Sequence, residues 1–281
     1  MTVERAMLVT PAHPEPAAEA VSTAAEVARV AGVQLISLPD EHEKHGEAAA
    51  QIEQVEDGSR PDVCLVLGGD GSILYALRHF AGTGVPVFGI NFGTIGFLAA
   101  VERDDLAAGL ERAFSGDYEV MDMPALKVDL PVEHPVALND VSFVRRPHGR
   151  VAELSYAIGE EEVGNVRCDG LVAATPAGST GYNLANAGPI LAWGVKGYVV
   201  SFIAPHTLAA RALVVAPDDT LMVRNAAGRE AVEISLDGEA AGELEPGAEL
   251  EIRFEESVGR LGQLPGASFY HRIREKFGKL A

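Results

Sequence analysis

Apolar and polar positions alternate in blocks along the first third of the chain. Short apolar runs, which predict strands, are separated by longer segments in which alanine and charged residues follow a helical pattern. The predicted strands are RAMLVT, VQLISL, DVCLVLG and VPVFGIN, and the predicted helices are EPAAEAVSTAAEVARVA, part of the charged connection DEHEKHGEAAAQIEQVEDGSRP, and SILYALRHFAG. Such alternation is typical of a parallel sheet covered by helices on both faces. We therefore expect a Rossmann-like α/β domain over residues 1–120.

The pattern changes after about residue 120, where few helical stretches remain. The later apolar runs are short and are broken by Gly, Pro and Asp turns; they are ALKVDL, VALNDVSFVRR, VAELSYAIG, GLVAATP, ALVVAP, TLMVRN and VEISLDG. This pattern of short apolar runs and turns predicts a second, β-rich and sandwich-like domain over residues 121–260. The segment ASFYHRIREKFGKL is basic and helical. We expect residues 261–281 to form a tail that packs back on the first domain.

One apolar strand runs into the turn Gly68-Gly69-Asp70-Gly71 and then directly into a helix. Glycines clustered at such a point allow a tight turn or the close approach of a ligand to the backbone. The turn lacks the GxxxxGK[ST] pattern of a Walker loop and the GxGxxG spacing of the dinucleotide fingerprint. Backbone amides at a helix start still bind phosphate. Asp70 would then accept a proton from an attacking hydroxyl, hold Mg²⁺ brought by a nucleotide, or simply cap the helix.

The composition of the chain disfavours several classes of binding partner. The 281 residues are 47% hydrophobic and 22% charged, with a net charge of −19. This charge disfavours nucleic acid and anionic membrane surfaces, both of which would repel the chain. No apolar run reaches the length of a membrane span, and the start MTVERAMLVTPAHPEP shows no export signal. Cys64 and Cys168 lie far apart in apolar contexts, which predicts reduced core thiols and a cytoplasmic protein.

Acidic residues outnumber basic residues, and lysine is rare among the basic ones. The chain has 41 acidic and 22 basic residues, and only five of the basic residues are lysine. An acidic, lysine-poor surface suits high salt, where screening removes the self-repulsion. The composition therefore favours a halophilic protein, from a haloarchaeon, over a merely acidic one.

Five further segments occur in the order found in NAD kinases. They are FGINFGTIGFLA (88–99), ALNDVSF (137–143), RCDGLVAATPAGSTGYNLANAGPIL (167–191), APHTLAARALV (204–214) and SLDGE (235–239). Together with the GGDG turn they make residues 62–240 resemble an ATP-dependent NAD kinase. The TPxGST block with its following tyrosine is the most specific of these motifs, whereas GGDG is shared with lipid kinases and phosphofructokinase-like enzymes.

The resemblance implies a two-domain fold and phosphorylation of the 2'-hydroxyl of the adenosine ribose of NAD, giving NADP. NAD and ATP would be the substrates. Mg²⁺ would arrive with ATP, held mostly by phosphates and water, so no protein ligand is named for it. The resemblance also implies a homodimer or homotetramer.

Site residues follow from the same resemblance. Asp70 would be the catalytic base, because a secondary hydroxyl is a poor nucleophile and needs a base within hydrogen-bond reach. The residues expected to contact ATP or its phosphates are Gly68, Gly69, Gly71, Ser72 and Asn91. Those expected to bind NAD are Asp70, Gly71, Asn139, Asp140, Arg150, Arg167, Asp169, Thr180, Gly181, Tyr182, Asn183, Ala185 and Glu239.

Individual roles are also implied. Asn139 and Asp140 would hold the adenine and the ribose hydroxyls, and Tyr182 would pack on the adenine. Asp169 would contact the nicotinamide carboxamide or its ribose. Arg150 and Arg167 suit the pyrophosphate, because a guanidinium binds it through two donors. For both arginines a surface ion pair is the structural alternative. His206 and Arg211 also match the family by position, and for His206 a structural core histidine is an equal alternative.

The chain also departs from the family pattern. Asp140 replaces a glutamate, Gly181 an alanine and Ala185 a serine, while Ala187 stands where the first of two glycines is usual. These departures keep two alternatives open. One is a related GGDG kinase acting on another hydroxyl substrate, and the other is a non-catalytic dinucleotide sensor.

Overall fold

The computed structural model describes residues 3–11, 17–56, 58–93, 96–226 and 229–278. The chain divides into two compact units, which are described separately. Unit 1 comprises Met1–Asp122 with Gly259–Ala281, and unit 2 comprises Met123–Val258.

The helices and strands are numbered in chain order. The helices are α1 (Ala18–Ala31), α2 (Pro39–His45), α3 (Asp70–His79), α4 (Leu106–Ser115), α5 (Tyr182–Ala185) and α6 (Phe269–Phe277). The strands are β1 (Arg5–Val9), β2 (Gln34–Ser37), β3 (Glu53–Gln54), β4 (Val63–Gly68), β5 (Val87–Asn91), β6 (Val101–Glu102), β7 (Glu119–Val128), β8 (Val136–Ala137), β9 (Asp140–Arg145), β10 (Ala152–Ile158), β11 (Glu161–Cys168), β12 (Gly170–Ala174), β13 (Tyr198–Ile203), β14 (Leu213–Val215), β15 (Leu221–Asn225), β16 (Val232–Leu236), β17 (Glu239–Leu244) and β18 (Glu249–Gln263).

Unit 1 is built on a parallel sheet. Strands β3, β2, β1, β4 and β5 lie side by side in that order, and the last part of β18 adds to β5, with Leu261 opposite Val87. Parallel strands place their carboxyl ends at one edge of the sheet. The end of β4 therefore lies beside the end of β5, with Gly68 opposite Asn91.

Both faces of this sheet are covered. Leu65 and Leu67 of β4 belong to the core that packs on α1 and α4. On β5, Gly89 points the other way and is pressed against α3, because a Cβ there would lie 2.3 Å from Cδ1 of Ile73. Burial on both faces explains why β4 is apolar along its whole length rather than alternating. The predicted α/β class of the N-terminal part is confirmed.

Unit 2 consists of two antiparallel sheets. One has the order β14-β13-β12-β9-β16-β17, and the other joins β11, β10, β15 and the first part of β18. Alternate side chains from both sheets, such as Phe143 of β9 and Leu154 of β10, share one apolar core. The opposite face of β12 carries Val172 and Ala174, which pack with Leu191. The predicted β-rich, sandwich-like class is confirmed.

Two local features differ from the pattern-based prediction. Helix α3 begins at Asp70 rather than at Ser72, because Gly69 takes the extended N-cap conformation and an acidic residue is favourable in the first turn of a helix. The charged connection contains the short strand β3 besides its predicted helix. Helix α1 begins at Ala18, and residues 15–16 of its predicted span lie outside the described residues.

Both cysteines are buried free thiols. Burial raises the pKa of each, for Cys168 to about 11, so both stay protonated at neutral pH. In the described part of the chain, no helix combines the length and the apolar character needed to cross a bilayer.

Candidate active site

Glycine is required by close packing at one position of the GGDG turn but not at another. Gly68 lies so close to the first turn of α3 that a Cβ would meet Oγ of Ser72 at 2.7 Å. Gly71 is exposed, and a Cβ there would meet nothing within 4 Å. The described residues therefore do not require glycine at position 71. A free face at a helix start leaves room for a bulky anion to reach the backbone.

Asp70 is the first residue of α3, and its carboxylate is held firmly. Oδ2 accepts a hydrogen bond from the amide of Phe97 at 2.7 Å, and Oδ1 accepts one from the amide of Leu98 at 3.0 Å. Gly96 packs against the same group, since a Cβ at Gly96 would lie 2.2 Å from Oδ1. A carboxylate has about four acceptor positions. Asp70 therefore keeps acceptor capacity for a further proton donor while its orientation is set.

Asn91, the last residue of β5, binds the loop that follows the strand. It is buried; its Oδ1 accepts from the amide of Gly93 at 3.0 Å, and its Nδ2 donates to Oε2 of Glu102 at 2.9 Å. Its side chain thus positions the turn at Gly93. Gly93 packs closely on Gly69, since a Cβ at Gly93 would lie 3.4 Å from Cα of Gly69. The phosphate contact expected for Asn91 stays a prediction.

In unit 2, the segment that carries Asn139 and Asp140 is tied down by Asp237. Oδ1 of Asp237 accepts from the amides of Asn139 at 2.7 Å and Asp140 at 3.0 Å, and Oδ2 accepts from the amide of Leu138 at 2.9 Å. The amide of Asp237 donates back to the Asp140 carbonyl at 2.9 Å. Asp237 thereby fixes the backbone from which both predicted nucleoside contacts project.

The TPAGST loop after β12 packs on the same segment. Thr175 donates from its hydroxyl to the Leu138 carbonyl at 2.6 Å, and its amide donates to the Asn139 carbonyl at 2.8 Å. Gly178 approaches so closely that a Cβ would lie 2.0 Å from the Asn139 carbonyl oxygen. The glycine of this motif is therefore required by backbone contact. Thr180 and Gly181 follow Gly178 and Ser179 in the chain, and the hydroxyl of Thr180 donates to the Ala177 carbonyl at 3.1 Å.

Asp140 is an unusual carboxylate. It is only 7% exposed, and burial, together with the charge of Asp237, raises its pKa from 3.8 to about 7. The raised value lies in the folded state, so the folded protein binds more protons than the unfolded chain between about pH 4 and pH 7. Ionisation of Asp140 therefore costs stability as the pH rises through that window.

Replacing Asp140 with asparagine removes this cost. We expect Asp140→Asn to be more stable than wild type at pH 8 by about 2 kcal/mol, and by much less at pH 5. Urea denaturation of both proteins at the two pH values, at constant KCl, measures the difference. Asp129→Asn, at an exposed position of the same unit, is the matched control. An equal stability difference at pH 5 and pH 8 would contradict the assignment.

Tyr182 lies near two carboxylates. It is 38% exposed at the start of α5, and burial followed by the charges of Asp140 and Asp169 raises its pKa. Asp140 pairs with Ala174 at one end of β12, whereas Asp169 precedes Gly170 at the other end. At ~3.3 Å per residue the strand separates them by roughly 16 Å. The two acidic residues therefore stand at opposite ends of β12, and the charges of both act on Tyr182.

Asp169 has a partner that sequence reasoning missed. Nε of Arg145 donates to its Oδ1 at 2.6 Å, and this hydrogen bond lowers the pKa of Asp169. A second donor of the same side chain reaches the Gly149 carbonyl at 3.2 Å. Asp169 is therefore ionised and oriented. The pairing of β9 with β12 could have indicated this contact, because Arg145 is the last residue of β9 and Asp169 directly precedes β12.

The loop after Gly181 contains two predicted NAD contacts, Asn183 and Ala185, and the departing residue Ala187. Asn183 is fully buried, and its Nδ2 donates to the carbonyls of Ser179 at 2.9 Å and Pro189 at 3.0 Å. The structure thus uses its amide nitrogen within the loop. Ala185 is exposed. Ala187 has φ +57°, a conformation that favours glycine, so the family's usual glycine at this position has a backbone reason.

The remaining predicted residues lie at the surface of unit 2. Arg167, Glu239, His206 and Arg211 are exposed. His206 is therefore not a core residue, and its amide donates to the Arg167 carbonyl at 2.8 Å.

Arg150 is exposed too. Together with Arg145, Arg146, Arg229 and Glu230, it lines a cavity of about 230 Å³. Its amide donates to Oε2 of Glu230 at 2.8 Å. The preceding residue, Gly149, accepts from Arg145, which also binds Asp169. The contact of Arg150 with NAD stays a prediction.

Comparison with known proteins identifies the family. The ATP-NAD kinase N-terminal domain family matches residues 12–118, and the ATP-NAD kinase C-terminal domain family matches residues 138–258. The NAD kinase of Symbiobacterium thermophilum is 38% identical over 220 residues, which cover 76% of this chain and 78% of that protein. The NAD kinase of Carboxydothermus hydrogenoformans is 34% identical over 226 residues, covering 79% and 81%.

Solved structures show the same fold. Yeast NADH kinase complexed with NADH has a TM-score of 0.87 at 20% identity, covering 100% of this chain and 89% of that one. An NAD kinase from Archaeoglobus fulgidus in complex with ATP has a TM-score of 0.68 at 22% identity, covering 98% of both chains. Because both domain families match in order and a relative that is 38% identical covers 76% of the chain, the chain belongs to the NAD kinase family.

Proposed function

We propose that this protein transfers the γ-phosphoryl group of ATP to the 2'-hydroxyl of the adenosine ribose of NAD, giving NADP and ADP. The proposal rests on the family, whose relatives are NAD kinases. The observation that carries it is the Asp70 carboxylate, which stands at the first turn of α3 with its orientation set by the amides of Phe97 and Leu98. The comparisons give no support to a different hydroxyl substrate or to a sensor role.

In the proposed reaction, Asp70 accepts the proton of the 2'-hydroxyl as that oxygen attacks the γ-phosphorus. The new bond joins the ribose oxygen to phosphorus, and the bond from phosphorus to the bridging oxygen breaks, so that ADP leaves. The open, exposed face at Gly71 in the first turn of α3 suits the phosphates, which would lie at the positive end of the helix dipole. Positioning and charge neutralisation supply most of the rate enhancement in such transfers.

Mg²⁺ enters this scheme with ATP. Among the described residues, no group of three or more His, Cys, Asp or Glu side chains is arranged to hold a metal ion. In nucleotide complexes Mg²⁺ usually keeps phosphate and water ligands, and the proposal names no protein ligand for it. The ion would supply charge neutralisation on the transferred group.

Unit 2 would hold NAD. Asp140 accepts hydrogen bonds from ribose hydroxyls, Asn139 contacts the adenine, and Tyr182 stacks on it beside Thr180 and Gly181. Asp169, oriented by Arg145, would receive the nicotinamide carboxamide or its ribose. Contacts from the exposed residues Arg150, Arg167, Ala185 and Glu239, and from the buried Asn183, belong to the same proposal.

The cellular location, the salt requirement and the oligomeric state are further parts of the proposal. We infer a cytoplasmic, halophilic enzyme that works as a homodimer or homotetramer. The supporting observation for salt is the excess of 41 acidic over 22 basic residues. Since screening weakens repulsion among these charges, activity is expected to rise from low to molar KCl.

A time course of NADP formation tests the function. Purified protein is incubated with ATP, MgCl₂ and either NAD or NADH at low and at molar KCl, and the phosphorylated product is quantified by chromatography. We expect NADP to accumulate with NAD, faster at molar KCl. The proposal is wrong if no phosphorylated dinucleotide forms at either salt concentration although calorimetry shows that NAD binds.

A further inference from the structure

Helix α6, near the end of the chain, packs on the segment that holds Asp70. The ring of Phe97 lies 6.4 Å from the ring of Phe269 and 5.8 Å from that of Phe277, measured between centroids. Nζ of Lys276 stands over the same ring at 4.4 Å. The helix therefore covers a residue whose amide donates to the proposed base.

Arg272 of α6 reaches further into this segment. Its Nη1 donates to the carbonyl of Ala99 at 2.6 Å, and its Nη2 donates to Oε1 of Gln263. Gln263 is 5% exposed, and its Nε2 donates to the carbonyl of Leu98 at 2.8 Å. Two consecutive carbonyls are thus fixed by one guanidinium and the glutamine that it orients. Such a planar fork restrains both partners at once.

The two sets of contacts meet at one short stretch of chain. The amides of Phe97 and Leu98 point at the Asp70 carboxylate, while the carbonyls of Leu98 and Ala99 point at Gln263 and Arg272. The amide of Ala100 donates to the Gly89 carbonyl at 2.8 Å, which anchors the far end of the stretch to β5. Rotation of these peptides would move the amides away from Asp70.

The positive charge of Arg272 also acts on this segment. Burial lowers the pKa of Arg272, and the nearby charge of Asp70 is the largest opposing influence, followed by Glu102 and Glu275. Arg272 remains a cation at every physiological pH. A fixed positive charge therefore lies within electrostatic reach of the Asp70 carboxylate.

We propose that Arg272 is a positioning residue for phosphoryl transfer, which acts through the 97–99 segment to hold the Asp70 carboxylate in its working orientation. The inference rests on the proposed function. Removing the fork leaves Asp70 in place but lets its amide donors turn, so the base is misaligned without loss of the substrate-binding residues of unit 2. Small misalignments of catalytic groups are costly in rate.

The test compares Arg272→Gln and Arg272→Lys with Arg274→Gln, an exposed arginine on the same helix that contacts His271. We expect Arg272→Gln to lower kcat by about 10–100-fold with the KM for NAD changed less than threefold. Arg272→Lys, which keeps the charge but lacks the planar fork that reaches both acceptors, should recover part of the loss. Thermal unfolding establishes that each variant is folded at the assay temperature.

A double-mutant cycle gives a readout that a merely structural role would not move. If Arg272 acts through Asp70, then Arg272→Gln lowers the residual kcat of the Asp70→Asn variant less than twofold. Full additivity of the two effects would overturn the proposal. So would a loss in Arg272→Gln no greater than that in Arg274→Gln.

Amide hydrogen exchange tests the same inference without any activity. We expect the amides of Phe97 and Leu98 to exchange at least tenfold faster in Arg272→Gln than in wild type or Arg274→Gln. Unchanged exchange of both amides would overturn the positioning role. Absence of NADP formation by wild type would instead contradict the proposed function, and the exchange result would still decide the role of Arg272.

Discussion

Asp70→Asn is expected to lower kcat for NADP formation by about 10²–10⁴-fold, the range typical for the loss of a general base. Asparagine has nearly the same shape, but its amide does not accept a proton from the ribose hydroxyl. Its oxygen can still accept from one of the two amides that now bind the carboxylate. We therefore expect NAD and ATP to bind with dissociation constants within about threefold of wild type.

Initial rates at saturating NAD and ATP measure this effect, and calorimetry measures binding. Asp104→Asn is the matched control, because it makes the same chemical change at an exposed position of the same unit. We expect this control to keep wild-type kcat. If Asp70→Asn retains more than a tenth of the wild-type kcat, Asp70 is not the base.

Asp237→Ala is expected to have the second large effect, in this case on stability and binding together. The substitution leaves the amides of Leu138, Asn139 and Asp140 without the carboxylate that now accepts from all three. Unsatisfied amides cost about 1–3 kcal/mol when they are shielded from water. Alanine is also unfavourable at the φ of +53° that Asp237 adopts. We expect the free energy of unfolding to fall by about 3 kcal/mol.

Binding should weaken for the same reason. The Asn139–Asp140 segment loses its anchor, and we expect the KM for NAD to rise at least tenfold while the KM for ATP changes less. Urea denaturation and steady-state kinetics measure the two effects. Asp237→Asn tolerates the same backbone conformation and keeps one acceptor oxygen, so its effects should be intermediate.

Asp218→Ala, an exposed change in a turn of the same unit, should alter the free energy of unfolding by less than about 0.5 kcal/mol. A loss in Asp237→Ala no greater than this would show that the three hydrogen bonds do not hold the segment.

Several features could be predicted from the sequence because they depend on neighbouring residues. The apolar run of β4 followed by glycines marks a buried strand that ends in a tight turn, and both are local properties of the chain. The fold class followed from the alternation of strands and helices. The roles given to Asp70, Asp140 and Tyr182 came from the resemblance of ordered motifs, and those roles remain predictions.

Other features depend on contacts between distant residues, for which no local pattern exists. Asp237 binds the amide of Asn139 across 98 positions, and Arg272 binds the carbonyl of Ala99 across 173 positions. Each is a single polar side chain in a segment that otherwise indicates a turn or a basic helix. Even the buried, proton-retaining character of Asp140 arises from the surrounding core and from Asp237 rather than from its own neighbours in sequence.

The sequence by itself thus determined the classes of the two domains, the glycine turn between β4 and α3 and the acidic character of the protein, because periodicity, glycine content and charge are properties of the chain. Only the tertiary structure decided which side chains and amides orient Asp70, Asp140 and Asp169. Hydrogen-bond geometry and desolvation depend on which segments the fold brings together, and the local pattern of residues carries no record of those distances.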